Sequence, residues 1–293
     1  MKNSKGYLII AMLIFGSVGL FVRNIDLSSA QIALARGIIG SLFLMIASKL
    51  MKQKISWKAV RPNLLLLILS GAAIGINWIL LFQAYKYTTI PNATLSYYFA
   101  PVFVVFLSPL VLKERLTVIK TLCIIGAVIG MIFIVGIGEV PGKNHLIGIG
   151  YGLLAAVLYA SVVLMNKFLR GLSGLETTLV QISTASVVLL PYVLITNKFQ
   201  AIKLDGKSLI SLLIVGILHT GVAYLLYFIA FQKLKAQTIA AFSYIDPISA
   251  IFMSSIFLGE KMTALQLFGG VLILGSTFLS EFYGRKQELK KLI

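Results

Sequence analysis

Ten apolar runs, each about long enough to cross a bilayer, leave this chain few ways to fold. Read between charged or Pro/Gly-marked breaks, they predict helices over 6–22, 29–48, 64–86, 92–112, 119–137, 146–168, 176–195, 208–230, 238–258 and 264–283. A helix crosses the hydrocarbon core in roughly 20 mostly apolar residues. Inside that core only helices and closed barrels satisfy every backbone N–H and C=O. A barrel reads as short alternating segments, and the unbroken run Leu64–Ala84 excludes one. The connecting segments are too short to form a soluble domain. Composition agrees, with 12% charged residues against about 25% in soluble domains. The expected fold class is an all-α integral membrane protein. Lys2, Lys5 and the run Gly6–Val22 imitate a signal peptide, with Ser28-Ser29-Ala30 as an imitation cleavage site. The run is long for that purpose and has a counterpart later in the chain, so it reads as a retained first helix.

Charge sets the orientation. With the N-terminus inside, 18 of the 26 Lys and Arg residues fall on the inner side, seven on the outer side, and Arg36 within a span. Basic residues gather in loops that stay cytoplasmic, so both termini are expected in the cytoplasm of a bacterial-type inner membrane. The same rule accounts for the net charge of +17 without nucleic acid. The single Cys123 lies in an apolar run and excludes a disulfide framework.

The chain repeats itself. A shift of 146 residues lays Tyr98-Phe99-Ala100-Pro101 on Tyr244-Ile245-Asp246-Pro247, and Lys113-Glu114-Arg115-Leu116-Thr117 on Gly259-Glu260-Lys261-Met262-Thr263. It also lays Ala84-Tyr85 on Ala230-Phe231, while a shift of 144 places Tyr7, Ala11, Phe15 and Ser17 on Tyr151, Ala155, Tyr159 and Ser161. Two units follow, 1–140 and 141–293, each with five helices. An odd number of spans turns the second copy upside down, so the architecture expected is two inverted-topology five-helix repeats. That construction is common in secondary transporters, where substrate binds near the midplane between the copies.

The paired pattern Pro101…Glu114-Arg115-Leu116-Thr117 and Pro247…Glu260-Lys261-Met262-Thr263 resembles the drug/metabolite transporter superfamily, EamA type. Phe15-Gly16-Ser17 and Ala35-Arg36-Gly37 add to the likeness, which covers nearly the whole chain. Gln181 stands where a second Arg36 would fall, and Phe15 and Tyr159 stand where the family often has Trp. The resemblance implies a carrier of amino acids or other metabolites, often outward, with helices 1, 3, 4, 6, 8 and 9 lining the cavity.

Charges inside a bilayer are costly and mark function. Two lie well within spans, Arg36 and Asp246. Asp246 precedes Pro247, which frees the carbonyl of Ser243; the pair suits a cation, an amine or a coupling proton, or simply stabilises a kink. Pro101 is the equivalent kink in the first copy. Arg36 binds a substrate carboxylate, pairs with an acid, or orients one helix against another. His219, Ala223 and Tyr227 share a helical face, and the repeat maps it onto Ala73, Asn77 and Leu81 beside Trp78, continued by Tyr85. Aromatic and polar residues cluster around the two prolines, Asn92, Tyr97 and Tyr98 in one copy and Ser243 and Tyr244 in the other, and Tyr159 and Asn166 add to these from the sixth helix. Pockets lined by aromatics with a few polar groups suit amphipathic small molecules. The candidate substrate-binding residues are therefore Asn77, Trp78, Tyr85, Tyr97, Tyr98, Tyr159, His219, Tyr227 and Tyr244. Gly126 and Gly130 form G-x-x-x-G, and Gly269, Gly270 and Gly275 stud the last span; they read as packing within a monomer rather than as a dimer interface.

No P-loop, H-E-x-x-H, G-x-S-x-G or Cys/His metal spacing occurs, so neither an enzyme, a cofactor nor a metal is expected. The reading is a secondary transporter of a small amphipathic metabolite, an amino acid or related organic solute, exported by alternating access. Its partners would be the substrate, the bilayer and protons. The rival readings are an uncoupled facilitator and a lipid- or isoprenoid-handling flippase or enzyme.

Overall fold

The computed structural model describes residues 2–53, 55–113, 116–136, 143–196, 204–234 and 236–291. Glu114, Arg115 and the proposed boundary at 140 lie outside the described residues, as do Lys54, Lys198, Lys203 and Lys235. Ten helical spans are long and apolar enough to cross a membrane. In chain order they are span 1 (Ser4–Val22), span 2 (Ser29–Leu50), span 3 (Trp57–Tyr87), span 4 (Ile90–Val111), span 5 (Val118–Val135), span 6 (Asn144–Asn166), span 7 (Gly174–Thr196), span 8 (Gly206–Lys233), span 9 (Ala241–Leu258) and span 10 (Ala264–Tyr283). No strand occurs among the described residues. Large apolar side chains such as Leu65, Ile195 and Phe257 stay exposed on the outside of the bundle, the surface a lipid-facing protein needs.

Local chemistry sets the ends. Ser28 and Gln31 cap span 2 with reciprocal bonds from side chain to backbone, and Ser173 with Glu176 does the same at span 7. These two capping boxes are 145 residues apart, in register with the repeat. Thr117 caps span 5 and Thr263 caps span 10, again one repeat apart. Span 3 starts earlier than the apolar run predicts, because Trp57–Val60 and the 3-10 turn Arg61–Asn63 continue into it.

Two spans are broken. Span 4 divides into Ile90–Tyr97 and Ala100–Val111, and the helix Ala236–Ser243 is divided from Ile245–Leu258 by Tyr244. Pro101 and Pro247 sit just past these breaks, where a proline has no N–H to give the preceding turn. Span 8 holds a feature of another kind, a π-helical segment at Val215–Val222. Such segments carry one extra residue per turn and recur at functional sites.

Packing between spans is symmetric under exchange of the copies. Span 3 packs on 6 as 8 packs on 1; span 4 on 6 as 9 on 1; span 3 on 7 as 8 on 2. Spans 2 and 7, 4 and 9, and 5 and 10 pair with each other. Lipid tails are as apolar as leucine, so close backbone approach and polar bonds hold such helices together. Gly130 and Gly269 show the first: a Cβ on Gly130 would lie 2.6 Å from the Gly269 carbonyl oxygen, and one on Gly269 would press equally on the Gly130 carbonyl. Gly269→Val should therefore force spans 5 and 10 apart and lower stability by about 1–3 kcal/mol. Gly275→Val, where the added Cβ meets nothing within 4 Å, should leave the detergent melting temperature nearly unchanged. Equal melting of the two variants would refute the close contact.

Candidate substrate cavity

The broken spans meet. The Tyr98 hydroxyl, at the break of span 4, donates to Asp246 Oδ2 at 2.6 Å and reaches the Ser243 carbonyl at 3.4 Å, across the break of span 9. Span 1 comes close to the same place because residue 16 is glycine: a Cβ there would overlap the Ser249 hydroxyl and the Asp246 carbonyl. A cavity of about 370 Å³ opens beside this junction, with walls from spans 1, 2, 3, 4, 6, 8, 9 and 10.

Of the residues predicted from sequence, Trp78, Tyr85, Tyr97, Tyr98, Tyr159, His219, Tyr227 and Tyr244 line this cavity, together with Arg36, Asp246 and Pro101. Pro247 is buried beside it. Asn77 is not among the lining residues; its side-chain amide donates to the Ala155 carbonyl at 2.6 Å and ties span 3 to span 6. Interhelical bonds of this kind average about 0.6 kcal/mol and reach about 1.7. Asn77→Ala should cost that much stability in a detergent melt and leave ligand affinity unchanged; weakened affinity at unchanged stability would place it in the site instead.

The cavity also takes in Met12, Phe15, Thr94, Tyr224 and Glu281, which the sequence reading did not assign to it. Tyr224 was missed for a physical reason. An α-helical period puts His219, Ala223 and Tyr227 on one face, but the π segment shifts the register, so Ala223 is buried and Tyr224 reaches the cavity. No periodicity in the sequence announces that extra residue.

His219 is fully buried, with both ring nitrogens engaged. Nδ1 faces the Ile214 carbonyl at 3.2 Å and Nε2 the Ser17 hydroxyl at 2.9 Å. The carbonyl can only accept, which assigns the Nδ1 hydrogen. Arg36 is 5% exposed. Its Nε donates to Thr220 Oγ1 at 3.0 Å, and its guanidinium lies 4.3 Å from the Trp78 ring centre and 5.5 Å from that of Phe82. The repeat-equivalent Gln181 does something different: its amide bonds Ser70 and Asn166, both at 2.7 Å, and knits spans 3, 6 and 7.

The two ends of the cavity differ. At one end Arg23 pairs with Glu260 and donates to the carbonyls of Tyr85 at 3.0 Å and Thr88 at 2.5 Å. The other oxygen of Glu260 accepts from the Ile90 amide at 2.9 Å, and the Thr88 hydroxyl meets His145 Nδ1 at 2.9 Å. One ion pair thus gathers the ends of spans 1, 3, 4 and 6 and the turn between 9 and 10. Toward the other end a second cavity of about 360 Å³ shares Ala100, Pro101, Tyr159 and Glu281 with the first and reaches Lys120 and Lys167. No group of three or more His, Cys, Asp or Glu able to hold a metal occurs among the described residues.

The sequence model of the EamA-like transporter family matches residues 5–136 and 146–282. An uncharacterized transporter of Bacillus subtilis (strain 168), YxxF, is 30% identical over 276 residues, covering 93% of this chain and 88% of that protein. An uncharacterized transporter of Archaeoglobus fulgidus is 25% identical, covering 96% and 97%. A solved crystal structure 16% identical to the chain covers 98% of it and 99% of itself at a TM-score of 0.65, a likeness that concerns the fold alone.

Proposed function

The chain belongs to the EamA-like transporter family, and from that membership we propose that it is a secondary carrier exporting a small amphipathic metabolite, an amino acid or related organic solute, by alternating access. One observation carries this reading: the broken spans 4 and 9 meet at a cavity that holds both a buried arginine and an aspartate among aromatic rings. A site of that kind, with irregular backbone lining it at the interface of two repeats, is how secondary carriers hold substrate and coupling ion.

The two units are 1–140 and 141–293, the second inverted relative to the first. Symmetric exchange of packing partners supports this division, as do the capping boxes one repeat apart. The bias of Lys and Arg supports cytoplasmic termini in a bacterial inner membrane. In that orientation the Arg23–Glu260 pair closes the outer end, and the cavity reaching Lys120 and Lys167 leads to the cytoplasm. Asp246 is the coupling site, exchanging a proton as the cavity changes sides. Trp78, Tyr85, Tyr97, Tyr98, Tyr159, Tyr227 and Tyr244 enclose the apolar body of the substrate.

The test is counterflow in proteoliposomes. A melting screen against amino acids, amines, nucleosides and vitamins first identifies a ligand, since binding to the native state raises the melting point. Liposomes preloaded with that ligand should then take up labelled ligand transiently above equilibrium, with saturation. Linear, non-saturating flux without counterflow would replace the carrier with a channel.

A further inference from the structure

The carrier reading leaves the chemistry of the substrate open, and Arg36 narrows it. A guanidinium has five N–H donors in a planar fork. Here Nε is bound to Thr220, and the two terminal nitrogens have no hydrogen-bond partner among the described residues, although the residue is 5% exposed. Arg36 is the cavity's one Lys or Arg among the described residues. Two acids line the same cavity, Asp246 and Glu281; Asp246 takes its bond from Tyr98, and neither forms an ion pair with Arg36 among the described residues. A buried cation without a carboxylate is costly and is kept where something supplies the counter-charge.

Helix packing does not account for the charge. At the equivalent position Gln181 bridges its neighbouring spans with a neutral amide, so the fold has an uncharged solution and the first copy does not use it. The guanidinium is also held in one plane. Thr220 Oγ1 donates to the Val215 carbonyl five residues back, at 3.1 Å, and its lone pairs remain for Arg36 Nε. That i−5 bond belongs to the π segment of span 8. Trp78 and Phe82 supply aromatic faces against the same group. With Nε anchored, the two terminal nitrogens are the donors left on a residue that lines the cavity, and their edge is one that can match a carboxylate bidentately.

We propose that Arg36 is the seat for a carboxylate on the substrate, and that Thr220, set by the π segment, is the residue that positions it. The inference rests on the carrier reading. It commits the substrate to carrying a carboxylate next to an apolar or aromatic body.

The experiment titrates purified full-length protein with 3-phenylpropionate, its amide, phenethylamine and L-phenylalanine, following the melting temperature. The two carboxylates should bind, and the amide and the amine should bind at least about tenfold more weakly. Arg36→Gln, which copies the second repeat, should weaken carboxylate binding roughly 10- to 100-fold. Thr220→Val should weaken it roughly 2- to 10-fold, and Thr220→Ser, which keeps the hydroxyl, should restore it. Should Arg36→Gln fail to fold, Arg36→Lys and the Thr220 pair carry the test, because lysine keeps the charge and loses the fork. The seat is overturned if the amide or the amine binds as tightly as the acid, if carboxylate affinity survives these substitutions, or if neither carboxylate binds. Counterflow by the wild type separates the two readings. A carboxylate that binds through Arg36 and is never exchanged would sink the carrier and leave the seat standing.

Discussion

Replacing Asp246 with Asn should remove the response of transport to a pH gradient and leave the fold intact. The asparagine keeps the size of the aspartate and an oxygen able to accept the Tyr98 hydroxyl, now bound at 2.6 Å, so the junction of the two breaks survives. What disappears is the group that can gain and lose a proton inside the membrane. For one proton moved per substrate, each unit of pH difference is worth about 1.4 kcal/mol, or roughly tenfold in the accumulation ratio. Proteoliposomes with an imposed gradient should show that dependence in the wild type and a flat response in Asp246→Asn, with counterflow persisting in both. A gradient response undiminished in the variant would remove Asp246 from coupling.

In the orientation proposed above, Glu260→Gln should unlock the outer end. The glutamate side chain is 9% exposed against 29% for Arg23, so the pair is screened less than a surface one. Glu260 also caps span 4 through the Ile90 amide, which a glutamine oxygen can still do. The substitution therefore weakens the link to Arg23 in particular. Removing one partner of a partly buried pair costs about 1–3 kcal/mol, and each 1.4 kcal/mol moves a two-state equilibrium about tenfold. The readout is labelling of Leu81→Cys, a position on the cavity wall, by a membrane-impermeant thiol reagent added outside, with Cys123 replaced by Ala. Labelling should rise about tenfold or more in Glu260→Gln, and similarly in Arg23→Gln. An unchanged rate would mean that the pair caps helices and gates nothing.

Much of this molecule is legible in residue order. The bilayer demands long apolar helices, so the ten spans, the weak points at Pro101 and Pro247 and the duplication all left marks there. Most of the aromatic wall was also legible, because Tyr97, Tyr98 and Tyr244 lie near the prolines that break the helices, and the repeat sets Tyr159 against Phe15. Asn77 read as a site residue since it shares a face with Leu81, yet a neighbouring carbonyl captures its amide. A face shared along one helix says which side a residue is on, not what it meets there.

The sequence by itself determined the class of structure, the number of spans, where they break and the duplication of the chain. Each is a property of a single segment in a fixed solvent, or of two segments compared by order alone. Only the tertiary structure decided which polar groups meet. The Arg23–Glu260 pair joins residues 237 apart, and the Thr220 hydroxyl reaches Arg36 across 184. The π segment that holds Thr220 likewise packs against spans 1 and 2, far away in the chain. A helix gains an extra residue in one turn when its neighbours reward the shift, and those neighbours lie far along the chain.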